Sequence, residues 1–323
     1  MDSAEARLDY EAFLTAWRDS GCAFIEAHTS GSTGTPKPVR LPKSDMLRSA
    51  QAMAAMFSLD SGSVLSSALP LRSIATKMAI VRAIACGGRY HAVRPSNTVE
   101  LTEAVTMLSV GPSQCDSLSA RPALSERIDT LLVGGAPLSQ DRESALLDAG
   151  YSVYETYGMT ETCSNVALRH APEKHFIANA GITFETDSRG CLTVQAPGYS
   201  FDGLVTNDIV QLISPSEFVW TGRYDNAINS GGIKIHPEML ERELAPLIDV
   251  PFYVAGAPSR KWGCMAVAVI EGSEADADAV RKALALYPDS IRRPKAVVRV
   301  ARFAHTPTGK IRRLTMAELG EML

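Results

Sequence analysis

The run IDTLLVGGAPLSQDRESALLDAGYSVYETYG, residues 128–158, constrains the fold more than any other stretch of the chain. A short apolar run is followed by a Gly-Gly turn, then by residues with helical periodicity, then by a second apolar run. Short apolar runs bounded by turn residues read as strands buried on both faces, and the middle segment reads as the helix that crosses between them. Strands joined in this way are parallel and their crossovers right-handed. The same alternation runs upstream. Residues 44–58 read as a helix with Ser44 as its cap, VLSSALP as a strand, IATKMAIVRAIAC as a helix, RYHAV as a strand, and 98–108 as a further helix. Ligands of such sheets collect beyond the carboxyl ends of the strands. GGAP (134–137) and YGMTE (157–161) both fall at such ends.

Beyond residue 175 the pattern changes. FIANAGITFETDSRGCLTVQAP and LVTNDIVQLISPSEFVWTGR read as antiparallel strands joined by turns. After GRYDN a fresh α/β pattern starts: a helix PEMLERELAPL, strands FYVAGA and CMAVAVIEG, a helix over 275–286 and a strand KAVVRV. The expected fold is α/β. A large domain, 1–222, carries a parallel sheet flanked by helices and a small antiparallel region, and a small α+β domain, 223–323, follows a boundary near Arg223–Asn226.

The bulk properties exclude several function classes. The 323 residues carry a net charge of −4 and are 46% hydrophobic. Nothing in that balance is the electrostatic footprint of a nucleic-acid or anionic-membrane binder. No apolar run approaches the ~20 residues that span a bilayer, and the acidic, amphipathic amino end is unlike a secretory signal. The six cysteines contain no C-x-x-C, so neither a zinc site nor a disulfide framework is indicated. A cytoplasmic protein is expected.

One segment cannot form core. HTSGSTGTPK, 28–37, is almost wholly small and polar. Alone it is most often a surface turn. Read functionally it is a phosphate cradle: Gly31 and Gly34 free the backbone to turn N–H groups inward, Thr29, Ser30, Ser32 and Thr33 add hydroxyls, and Lys37 adds charge. It is not the usual nucleotide loop, because the second glycine of that pattern would fall on Pro36, and PVRLP after it reads as a strand rather than a helix.

TSGSTGTPK, GGAP, YGMTETCS, TND, GRYDNAINSGGIKIHPEMLE and PTGKIRR, in this order, resemble the adenylate-forming superfamily of acyl- and aryl-CoA ligases, peptide-synthetase adenylation domains and luciferases. The likeness runs from about residue 28 to the carboxyl end. It implies ATP, Mg²⁺ and CoA as cofactors and a small carboxylic acid as substrate. By the resemblance, residues 29–37 hold the β- and γ-phosphates, and Gly134, Gly135, Ala136 and Pro137 lie along the adenine. Glu155, Thr156, Gly158 and Met159 belong to the ATP-binding strand, with Tyr157 stacked on the adenine. Thr160 contacts phosphate and Glu161 is the Mg²⁺ ligand. Asp208 of TND, where the family more often has TGD, and Arg223 contact the ribose. Asp225 is the hinge of a mobile small domain, Ser230, Gly231 and Gly232 line the pantetheine channel, and Lys310 is the catalytic lysine.

The chain also departs from the family pattern. Only 27 residues precede the phosphate loop, and the stretch from Glu161 to Asp208 is short. This reads as a compact version without the usual amino-terminal subdomain, part of the acyl-pocket wall being missing or supplied by a second subunit, of this chain or another. Ser73 stands where the family's LPLxH has histidine. Lys77 and Arg82 interrupt an apolar helix where the family builds its acyl pocket. A solvent-facing position is one reading of each; the other is a substrate with a second carboxylate. ALPLRSIATKMAIVRA and YGMTETCS are most similar to short o-succinylbenzoate–CoA ligases of menaquinone synthesis, in which an arginine at the Arg82 position is a candidate partner of the second, aromatic carboxylate. Another aryl- or short-chain acyl-CoA ligase, a carrier-protein-loading enzyme and a non-catalytic nucleotide-binding remnant remain as alternatives.

Overall fold

The structure, a computed structural model, describes residues 4–29, 37–304 and 311–323, with side chains from Asp9 onward. Ser30 to Gly34 and Lys310 lie outside the described residues. In chain order the elements begin with α1 (Ala4–Arg18), β1 (Phe24–His28), β2 (Pro38–Pro42), α2 (Lys43–Met56), β3 (Val64–Ser67), α3 (Ile74–Cys86) and β4 (Arg89–Ala92). Next come β5 (Val105–Val110), α4 (Pro112–Ser119), β6 (Ile128–Val133), α5 (Gln140–Asp148), β7 (Val153–Met159), β8 (Ser164–His170) and β9 (Phe176–Ala178). Strands β10 (Thr183–Thr186), β11 (Cys191–Gln195), β12 (Leu204–Ser214) and β13 (Glu217–Arg223) follow. The remainder is β14 (Ile228–Ser230), β15 (Ile233–Ile235), α6 (Pro237–Leu244), β16 (Phe252–Ser259), β17 (Gly263–Glu271), α7 (Glu274–Leu286), β18 (Ala296–Val300) and α8 (Met316–Met322).

Two compact units result. The first comprises Met1–Glu185, Val194–Leu204 and Ile213–Phe218; the second comprises Thr186–Thr193, Val205–Leu212 and Val219–Leu323. The main sheet has eleven strands in the order β10-β11-β12-β13-β9-β8-β7-β6-β5-β3-β4. Strands β3 to β7 pair in parallel, as the crossovers require. From β7 onward the pairings β7–β8, β8–β9 and β9–β13 are antiparallel. The sheet is therefore mixed, and the antiparallel strands extend it.

Within the first unit the side-chain alternation of the central strands feeds two cores. Leu131 and Val133 join Leu118 of α4 and Leu146 of α5 on one face. Leu132 and Met107 join Met53 of α2 and Ala83 of α3 on the other. The expected helix over 98–108 is not formed. Residues 105–110 are the buried strand β5, pairing with β3 and β6, and the sheet's need for a central strand overrides the helical spacing of those residues. Ser44 is not a cap either: α2 starts at Lys43, directly after Pro42, and no side chain caps it. Ser73 is the cap the sequence reading missed, its hydroxyl accepting from the Ala75 amide at the start of α3.

In the second unit β16 and β17 form an antiparallel pair, β14 and β15 extend it, and β18 adds in parallel. Val254, Ala268 and Ile270 pack on Leu240 of α6 and Val280 of α7. Tyr253, Val267 and Val269 pack on Phe303 and Leu319 of α8. No helix among the described residues is long and apolar enough to cross a membrane.

Candidate active site

The Gly/Ser/Thr segment joins two antiparallel strands, β1 and β2, as PVRLP suggested. Its root is closed by two bonds: the Thr29 amide donates to the Lys37 carbonyl at 2.9 Å, and the Lys37 amide donates to Thr29 Oγ1 at 3.2 Å. Lys37 itself is exposed. Thr160, buried, donates to the His28 carbonyl at 3.5 Å, which brings the YGMTE segment to the foot of this loop. Two motifs 132 residues apart thus meet, both within the first unit.

Strand β7 explains the spacing of YGMTE. It pairs with β6 only as far as Glu155 and then continues against β8 alone. Tyr157 to Met159 therefore project past the carboxyl end of the parallel sheet, the position where ligands of such folds gather. The register shifts between Tyr157 and Gly158. A Cβ at Gly158 would lie 2.0 Å from the Ser164 carbonyl oxygen, so only glycine fits that crossing. Tyr157 rests edge-on against Phe176 and Phe218, at 5.8 and 5.0 Å between ring centroids, and these aromatics fix its ring plane. Glu161 sits in a single 3₁₀ turn, Thr160–Thr162, locked by Thr162 Oγ1, which accepts from the Met159 amide at 3.0 Å.

GGAP leaves β6 as a tight turn. Gly134 approaches Thr156 so closely that a Cβ would lie 2.1 Å from its Oγ1, and Gly135 has φ +85°. The Leu138 amide donates to Glu155 Oε1 at 2.9 Å. Both oxygens of Glu155 are engaged, since Oε2 accepts from Arg169 Nε and Nη2 at 2.9 and 2.5 Å. Arg169 was not singled out in the sequence; a lone arginine in an apolar strand carries no signal that it will meet two carboxylates.

In the second unit Asp208, Arg223 and Asp225 come together. Trp220 Nε1 donates to Asp208 Oδ1 at 3.1 Å, Arg223 lies 3.7 Å from the same carboxylate, and Arg223 Nη2 meets Asp225 Oδ2 at 2.8 Å. Asn207, where a glycine is commoner in the resembling family, donates to Asp225 Oδ2 at 3.3 Å. Ser230 is buried in β14, and the Gly231 amide donates to the Trp262 carbonyl at 3.0 Å. Gly231 and Gly232 have φ +60° and +88°; a Cβ on Gly231 would come 3.1 Å from Trp262 Cδ1, whereas one on Gly232 would meet open space.

Lys77 and Arg82 are not brought together: five positions on a helix are about 140° apart round its axis. Lys77 Nζ donates to the Leu71 carbonyl at 2.8 Å and lies over the Phe13 ring, and burial lowers its pKa. Arg82 does not face solvent. It is 1% exposed, donates from Nη2 to Asn165 Oδ1 at 2.6 Å, and leaves Nε without a hydrogen-bond partner. No carboxylate pairs with it among the described residues, and burial lowers its pKa to about 10.

No group of three or more acidic, His or Cys side chains gathers as a metal cage among the described residues. A single carboxylate, such as Glu161, is compatible only with a hard divalent cation that takes most of its oxygen ligands from elsewhere.

Comparison with known proteins gives the family and the fold. The chain is similar to a feruloyl-CoA synthase of Amycolatopsis sp., 29% identical over an alignment, gaps included, of 358 positions that covers 96% of this chain and 72% of that protein. It is 26% identical to the 2-succinylbenzoate–CoA ligase of Enterococcus faecalis, over 88% of this chain and 67% of the relative. The Bacillus subtilis o-succinylbenzoate coenzyme A synthetase, solved with ATP and magnesium, superposes with a TM-score of 0.73 at 22% identity, covering 89% of this chain and 68% of that one, and shares the fold. The AMP-binding enzyme family matches residues 17–187, more than half the sequence, and this chain therefore belongs to that family of AMP-forming acid–CoA ligases.

Proposed function

We propose that the protein activates an aromatic acid bearing a second carboxylate, with o-succinylbenzoate as the substrate, and transfers the acyl group to CoA in menaquinone synthesis. In the first half-reaction a carboxylate oxygen of the acid attacks the α-phosphorus of ATP and pyrophosphate leaves. In the second, the CoA sulfur attacks the acyl carbon and AMP leaves. Two anions must approach in the first step, so cationic groups at the phosphates are the main electrostatic requirement. Lys37 and the 29–34 loop are assigned to the β- and γ-phosphates, Lys310 to the charge developing at the α-phosphate, Tyr157 and the 134–137 turn to the adenine, and Asp208 with Arg223 to the ribose. Glu161 would hold the magnesium ion, which when bound neutralises phosphate charge. Asp225 is assigned as the hinge and Ser230–Gly232 as the thiol channel.

The single observation that carries the choice of acid is Arg82, a buried guanidinium with no carboxylate paired to it among the described residues. An unpaired buried charge is costly, and a substrate anion would relieve it. The feruloyl-CoA synthase relative favours a second reading, an aromatic monocarboxylate, for which a buried cation has no use. Pyrophosphate release measured with a panel of acids, with and without CoA, decides between them. The expected result is release with o-succinylbenzoate and a CoA thioester product. Preference for ferulate or another monocarboxylate overturns the choice of acid, and absence of release with every acid overturns the activity.

A further inference from the structure

A buried ionic brace lies behind the two segments assigned to the adenine. Arg169 of β8, Glu155 of β7 and Glu143 of α5 are 7, 8 and 6% exposed. Arg169 Nη2 donates to Glu143 Oε2 and Glu155 Oε2, each at 2.5 Å, Nε donates to Glu155 Oε2 at 2.9 Å, and Nη1 donates to the Glu173 carbonyl at 2.6 Å. The guanidinium is thus held on three sides by β7, α5 and the loop after β8. The second oxygen of Glu155 is left to accept from the Leu138 amide, one residue past GGAP. At its other end the same turn abuts Thr156, so closely that a Cβ on Gly134 would meet its Oγ1. Residues 134–138 are therefore bonded to β7 at Glu155 and lie against it at Thr156, and the next residue of that strand is Tyr157.

We propose that Glu155, oriented by Arg169, sets the spacing between the 134–138 turn and the Tyr157 ring, and so the slot that takes the purine base of ATP. Glu155 is a positioning residue in this account: both of its oxygens are used within the protein, and it acts on the nucleotide through the Leu138 amide. A charged acceptor suits the task, because hydrogen bonds to an ionised group are the stronger kind, and Arg169 prevents the carboxylate from turning away. The inference rests on the assignment of ATP to this unit.

Glu155→Met tests it, since it keeps the side-chain volume, removes the bond to Leu138 and leaves Arg169 paired with Glu143. Displacing the turn should raise the Kd for Mg-ATP by about tenfold or more, the scale of a lost hydrogen bond to a charged group. Binding of Mg-tripolyphosphate, which has no base to place, should be unchanged, as should the KM for the acid and for CoA. Arg169→Lys should show a smaller loss of the same kind, because lysine keeps charge without the planar fork. If ATP affinity is unchanged in folded Glu155→Met, or if ATP and tripolyphosphate weaken together, the brace is only structural and the inference is wrong. Should Glu155→Met fail to fold, the ATP-to-tripolyphosphate affinity ratio of Arg169→Lys decides: a fall supports the inference and a constant ratio overturns it. A wild-type protein that binds tripolyphosphate no more weakly than ATP, or neither, refutes the assignment of ATP to this unit instead.

Discussion

Arg82 is the residue whose role separates the two readings of the substrate. Its lowered pKa has a sign that can be checked. For a base whose pKa falls on folding, the burial cost acts in full below about pH 10 and fades as the pH rises through that value. Replacing it with Met, of similar reach and no charge, should therefore leave the protein at least as stable at pH 7, measured by thermal unfolding, with the difference from wild type narrowing above about pH 10. A large fall in Tm would make Arg82 a structural member of the Asn165 network instead. Arg82→Ala should lower kcat/KM for o-succinylbenzoate roughly 30- to 3,000-fold, the cost of removing one member of a buried charge pair, with KM for ATP little changed. A monocarboxylate analogue should be indifferent to the change, and equal loss on both substrates would place Arg82 away from the second carboxylate. The sequence told that a cation interrupts an apolar helix; it could not tell which side of α3 faces the core. Lys77, five residues earlier, looks equivalent in sequence and ends on the Leu71 carbonyl.

At the scale of elements, strand β7 carries the most consequence. It is parallel to β6 as far as Glu155 and antiparallel to β8 from Tyr154 to Met159, and the register against β8 shifts within the YGMTE motif, between Tyr157 and Gly158. Gly158 makes that crossing possible: a Cβ there would lie 2.0 Å from the Ser164 carbonyl oxygen and 2.6 Å from the Asn165 Cα, neither of which can rotate away. Gly158→Ala should thus separate β7 from β8 and cost about 1–3 kcal/mol or more in urea unfolding, since overpacking forces backbone shifts. ATP binding should weaken as well, because Tyr157 rides on that strand and Thr160 directly follows its end. Unfolding and ATP affinity equal to wild type would mean that the crossing is looser than these distances require. Most elements were legible, since a buried strand and a crossover helix have different apolar periods. The exception, 98–108, shows the limit of periodicity: VTMLSV satisfies both patterns over six residues, and only its pairing with β3 and β5's other neighbour β6 makes it a strand. The brace on Glu155 was invisible for another reason, because pairing between α5, β7 and β8 is a product of the fold and leaves no local trace.

At the scale of the whole molecule, the assigned groups divide between the two units. Tyr157, Thr160 and Glu161 lie in the first, whereas Asp208, Arg223, Asp225 and Ser230–Gly232 lie in the second, whose span of sequence also includes Lys310. A single boundary near Arg223, as the sequence suggests, separates PTGK from the loop assigned to the phosphates but leaves Asp208 with the large domain, whereas here Asp208 lies in the second unit because part of β12 belongs to it. If the small domain serves adenylation in one arrangement and thioester formation in another, the two half-reactions should respond to different substitutions. Lys310→Ala should abolish pyrophosphate release, since charge at the α-phosphate is needed only while the acyl-adenylate forms. The same variant should still convert pre-made acyl-adenylate and CoA to thioester. Asp225→Pro should do the reverse: fixing φ at the hinge restricts rotation, so acyl-adenylate accumulates while CoA-dependent turnover collapses. The proline substitution also removes the carboxylate that meets Arg223 and Asn207, so Asp225→Asn is the control, expected to keep turnover by leaving φ free. Single-turnover assays of each half-reaction read the outcome. If Lys310→Ala and Asp225→Pro lower both half-reactions to the same extent in folded protein, the two-arrangement account is wrong for this chain, and one fixed arrangement must serve both steps.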